Sequence, residues 1–110
     1  MMVRAIDNVE HCGSMEDVRR NIDALDDILV PLLVTRGGYM TQAARIKHDA
    51  HQVRDEERIE SIVARVRERA VQEGGEPEVI EAIYRSMMEA YIAFEHREFA
   101  RQRQSTSNPG

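Results

Sequence analysis

Three charged residues stand where helical periodicity calls for apolar ones. Arg36 and Lys47 are eleven residues apart. That is about three turns of α-helix, so they share a face and lie roughly 16 Å apart along its axis. Two long cations placed this way can converge on one anion between them. Alternatively, each lays its aliphatic stem on the core and keeps its charged head in water. Glu95 is the matching anomaly in a later segment, eleven residues after Tyr84 and four after Tyr91. Its carboxyl either pairs with an arginine at the edge of the stripe or faces Arg36 and Lys47 from within the core.

Other polar groups have plainer readings. Arg19 and Arg58 sit near the starts of two helical segments, where an arginine is ordinarily a solvated face residue. Asp55 reads as a helix cap. His48-x-x-His51, with Asp49 between them, is the one metal-like spacing, but no third or fourth ligand accompanies it and no metal is expected. Cys12, beside His11, has no partner for a disulfide and no surrounding nucleophile constellation. Arg65, Arg67 and Arg69 interleave with Glu60, Glu68 and Glu73, which describes a solvated face better than an RNA contact.

These residues need helices to position them, and the chain supplies three. The first opens at Ser14, with Asp17 three residues on in the manner of a capping box. Its stripe runs Val18, Ile22, Leu25, Leu29, Leu32, Tyr39, Ala43 and Ile46, and a single long helix to about Lys47 is expected. Pro31 must kink it or end it, and Gly37–Gly38 weaken it. Residues 48–54 read as a loop. The second helix begins after Asp55, carries Ile59, Ile62, Val63, Val66 and Ala70, and stops at Gly74–Gly75. Pro77 suits the first turn of the third, whose apolar positions include Ile80, Ile83, Tyr84, Met87, Met88, Tyr91, Ile92 and Phe94. That helix is expected to run to about Arg101, with a disordered tail over residues 104–110. Residues 1–13 form an N-terminal tail, so the helical domain spans 14–103.

A first helix of about 33 residues is roughly 50 Å long. A compact globule of this chain length has a radius of gyration near 13 Å, which is about a quarter of that. The apolar stripe of such a helix therefore needs a second copy of the chain. An all-α fold of three helices in an intertwined homodimer is the expectation.

Bulk composition sets the outer bounds. At 110 residues the chain is one domain, and 42% hydrophobic content is enough for a core. Fifteen cations against twenty acids give a net charge of −5, which argues against nonspecific nucleic-acid binding. The longest apolar run, Ile28–Val34, is far short of the ~20 residues that cross a bilayer, so no membrane partner is expected. The N-terminus carries Asp7 and Glu10 and lacks the apolar core of a secretory signal, so a cytoplasmic location is expected. Fourteen of the fifteen cations are arginine; Lys47 is the one lysine.

The string V-R-R-N-I-D-A-L-D-D-I-L-V-P-L-L-V-T-R ends at Arg36; eleven residues on comes Lys47, and then V-R-D-E-E-R. It closely resembles the all-helical (AroQ-type) chorismate mutase family, with its isochorismate pyruvate lyase relatives, over about Met15 to Ala100. The resemblance implies an intertwined three-helix homodimer with two active sites and a small dianionic substrate. It implies that Arg19 is supplied from the other subunit to a substrate carboxylate, and that Arg36 binds a carboxylate within the same chain. Lys47 matches the lysine on a carboxylate and on the departing ether oxygen. Asp55 and Arg58 match positions that close the pocket, while Tyr91 and Glu95 fall where the third helix lines it.

The implied reaction is the pericyclic rearrangement of chorismate to prephenate, which needs no nucleophile, metal or cofactor. The protein must hold a flexible dianion in its reactive geometry and stabilise charge on the ether oxygen. Two positions depart from the pattern. Ile59 stands where the mutases usually carry a glutamate on the ring hydroxyl; the lyases have an aliphatic residue there, and Tyr91–Ile92–Ala93 also resembles them. Asp55 and the V-R-D element resemble the mutases. The second departure is Glu95, where many members of both groups have glutamine. A carboxyl must be protonated to donate to an ether oxygen, so turnover is expected to improve toward acidic pH. Beside mutase and lyase stands a helical dimer kept as a regulatory or interaction module, which would have no need of cations in its stripe.

Overall fold

A computed structural model describes residues 9–107 of the chain. Three α-helices carry these residues: α1 (Met15–Ile46), α2 (Glu56–Gln72) and α3 (Pro77–Ser107). A single 3-10 turn, Ala50–Gln52, lies between α1 and α2, and there is no strand among the described residues. The all-α, three-helix architecture is the one the periodicity predicts. Among the described residues no helix is long and apolar enough to cross a membrane.

Local chemistry accounts for the boundaries. Ser14 Oγ accepts from the Asp17 amide, and the Asp17 carboxylate accepts in return from the amide of Gly13. The expected capping box is therefore present with its return bond displaced by one residue. Asp55 caps α2 by accepting from the Arg58 amide at 3.0 Å. Gly74 ends α2 in the left-handed region at φ +80°, where a side chain would be strained. Its amide and that of Gly75 reach back to the carbonyls of Val71 and Ala70. Pro77 opens α3, where its missing N–H costs nothing.

The single long first helix is as expected, and two other expectations differ from the structure for physical causes. Pro31 lies inside α1 without ending it. Its ring removes one internal hydrogen bond and leaves the rest of the ladder available. The 48–54 loop contains a turn that caps itself: Asp49 accepts from His51 N, and the Gln52 side chain accepts from the amides of His48 and Asp49. Finally, α3 does not stop near Arg101; it continues to Ser107, so the tail expected from Gln104 is helical to that point. Gln102 and Arg103 anchor this extension by donating to α1 carbonyls. Residues 108–110, and residues 1–8 of the N-terminal tail, lie outside the described residues.

Packing separates the chain into two units, one ending at Thr35 and the other starting at Arg36. In the first unit, Ile22, Leu25, Leu29 and Leu32 follow a three-four-three spacing on one face of α1, and all four are exposed. An isolated helix of this length is marginal in water, and its stability ordinarily comes from packing an apolar face. In the second unit, α2 and α3 form the core. Ile59, Ile62, Val63 and Val66 of α2 pack with Met88 of α3, flanked by Ile80, Tyr84 and Ile92.

Ion pairs tie the outer surfaces of α2 and α3. Arg85 bridges Glu60 and Glu81, and Arg67 bridges Glu81 and Glu78. The Arg85 guanidinium holds the Glu60 and Glu81 carboxyls below their ordinary range, and bonds from its own backbone and Arg67 do the same for Glu78.

Candidate active site

Lys47 follows the last residue of α1, and its amide still donates to Ala43 O at 3.0 Å. From there its ammonium turns toward α3 and donates to Glu95 Oε2 at 2.8 Å and to the Val53 carbonyl at 3.4 Å. Glu95 is 3% exposed, the one buried charged residue among those described. A carboxylate at such depth would be costly alone; an ammonium in contact offsets much of that cost. The partner is the lysine, so the arginine pairing weighed for Glu95 is not what the structure contains.

Arg36 is half-buried, about two turns before Ala44, a residue of α1 with no exposed surface. Its guanidinium lies 5.0 Å from the centre of the Tyr91 ring, a cation–π contact. Tyr91 precedes Glu95 by four residues on α3, so one face of α3 meets both α1 cations. Gly37 permits the approach: a methyl group there would lie 3.2 Å from Tyr91 Cε1. Thr41 fastens the same stretch, since its hydroxyl donates to the Gly37 carbonyl and its own carbonyl accepts from Gln102.

Beside Lys47 is an open cleft of about 550 Å³, bordered by Ile46, Gln52, Arg54 and Asp55 among others. Asp55 thus serves as the α2 cap and lines the cleft. Arg54 crosses from this loop to Glu89 of α3 and also pairs with Glu56. Arg58 is exposed at the start of α2, and Ile59 points into the α2–α3 core. Arg19 is exposed and belongs to the first unit, whereas Arg36, Lys47, Asp55, Tyr91 and Glu95 all belong to the second. His51 Nδ1 lies 3.6 Å from Asp49, and no group of three or more metal-ligating side chains occurs among the described residues.

Several neighbours of the cluster carry no sequence signal strong enough to single them out. The Val53 carbonyl is main chain, and any residue would supply it. Arg54 looks like one loop arginine among fourteen. Arg103 had a readable signal, because it follows Glu95 by eight residues and so lies on the same face of α3.

The arrangement offers anion chemistry. Arg36 stacks on Tyr91, and Lys47 is held by Glu95 one turn further along α3. No curated protein sequence matches the chain closely enough to be compared with it. The model of the chorismate mutase type II family matches residues 18–96, and that stretch contains Arg36, Lys47, Asp55, Tyr91 and Glu95. The match covers well over half of the chain, and the three-helix fold agrees with it: this chain belongs to the chorismate mutase type II family.

Proposed function

We propose that the protein is a chorismate mutase that converts chorismate to prephenate by electrostatic preorganisation. The observation that supports this most directly is the placing of Arg36 on Tyr91 and of Lys47 on Glu95, one turn apart on α3, in a member of this family. The rearrangement breaks an ether C–O bond as a C–C bond forms, with negative charge growing on the ether oxygen. Lys47 is a compact donor for that oxygen, and Arg36 suits bidentate carboxylate binding. Removing one such preorganised donor costs about 10²–10³ in rate.

The working unit is a homodimer in which α1 finds the partner its exposed stripe requires, and Arg19 reaches the substrate of the other subunit. Asp55 and Arg58 close the pocket over the substrate, and Tyr91 and Glu95 line it. A second reading rests on Ile59. An aliphatic side chain in the α2–α3 core accepts no hydrogen bond from a ring hydroxyl. Isochorismate pyruvate lyase chemistry, which yields salicylate and pyruvate, tolerates that residue. Incubating the purified protein separately with chorismate and isochorismate decides the matter. Prephenate from chorismate is the expected product, and salicylate formed much faster than prephenate would reverse the order of the two readings.

A further inference from the structure

The extension of α3 beyond the family match brings a second grip onto Lys47. A helix leaves its last four carbonyls without internal partners and concentrates partial negative charge there. At the end of α1, the Arg103 guanidinium donates to Ala44 O at 2.8 Å and to the carbonyl of Lys47 itself. One planar fork therefore spans both carbonyls, which a single ammonium is less suited to do. The ring of Phe99, one turn earlier on α3, lies 3.7 Å from the Arg103 guanidinium carbon and supports the fork from behind.

Lys47 is in this way held at two points by one helix. Glu95 takes its ammonium, and Arg103, eight residues on along the same face of α3, takes its main-chain oxygen. A four-carbon side chain has many rotamers, so fixing the head alone leaves the stem free to move. Fixing the carbonyl sets the point from which the side chain departs. The family match ends at residue 96, so Phe99 and Arg103 lie outside it.

We infer that Arg103 is a positioning residue, which sets the reach of Lys47 by capping the carbonyl end of α1. The inference rests on the proposed role of Lys47 in turnover, and its test separates the two. Because Lys47 is the only lysine in the sequence, acetylation of its amine by acetic anhydride can be followed by peptide mass without ambiguity. Compared with wild type, Arg103→Ala is expected to acetylate at Lys47 several-fold faster. It should also lower kcat with chorismate about ten- to a hundredfold, with a smaller change in KM. Arg103→Lys, which keeps the charge and loses the fork, should fall between them. Arg101→Ala, which removes a surface pair with Glu98, should match wild type in both measurements.

Wild-type acetylation and wild-type kcat in Arg103→Ala would overturn the inference. So would a loss of helical circular dichroism large enough to account for both changes. If wild type turns over neither chorismate nor isochorismate, the proposed activity falls. The acetylation rates alone then decide whether Arg103 positions Lys47.

Discussion

Lys47 and Glu95 form a 2.8 Å ion pair in which the carboxylate is buried and the ammonium is about a quarter exposed. The two ends are thus unequal: Glu95 has little access to water, while Lys47 can still be approached by an incoming anion. A substrate oxygen that takes the lysine must share it with a carboxylate already in place.

The rate should therefore depend on the charge at position 95. Glu95→Gln keeps the size of the side chain, removes the competing carboxylate and offers an amide that donates. It is expected to raise kcat/KM for chorismate several-fold over wild type in steady-state assays, and an unchanged value would remove Glu95 from the chemistry.

Stability and catalysis should separate at this pair. Lys47→Met leaves a buried carboxylate without its cation and should cost about 1–3 kcal/mol in denaturant unfolding. Lys47→Met/Glu95→Gln should recover most of that stability and none of the turnover. Recovery of turnover in the double variant would mean that Lys47 serves only to neutralise Glu95.

The surface network of α2 and α3 should be acid- and salt-sensitive. The carboxyls of Glu60, Glu78 and Glu81 are held below their ordinary range, foremost by Arg85 for Glu60 and Glu81 and by its own backbone for Glu78. A depressed folded-state value contributes stability above the ordinary carboxylate range, lost as pH falls through the folded value. Tm should accordingly drop steeply below about pH 4, and less steeply in Arg85→Ala. High salt should reduce the difference between the two proteins, because most of the network is reached by solvent. Parallel acid limbs would show that the network does not govern acid unfolding.

The bare stripe of α1 should be an interface between copies. Sedimentation is expected to give twice the chain mass of 12.6 kDa. Leu25→Glu/Leu32→Glu places charges on that stripe and should yield monomer with reduced helical content. A wild-type monomer that keeps full helicity would contradict the homodimer.

Much of this molecule could be read from its sequence, and the failures are instructive. Asp55, Gly74 and Pro77 act through short-range backbone chemistry, so the ends of α2 and the start of α3 were visible in residue type alone. The cations of α1 stood out because they interrupt an apolar period. The length of α3 was hidden, because what extends it past Arg101 is a set of bonds to carbonyls some sixty residues earlier. Composition at a chain end says nothing of such partners. Gly37 was similarly opaque. By propensity it only weakens a helix, whereas in the fold it makes room for the Tyr91 ring against which Arg36 stacks.

The long third helix has a thermal consequence. Helix ends open before cores do, and Arg103 sits in the final two turns of α3, while the α2–α3 core is built around Met88. Warming should release the grip on the Lys47 carbonyl while Ile59, Ile62 and Met88 remain packed. The upper temperature at which this protein works would then be set by fraying of the last few residues of one helix, some way below the temperature at which the fold is lost.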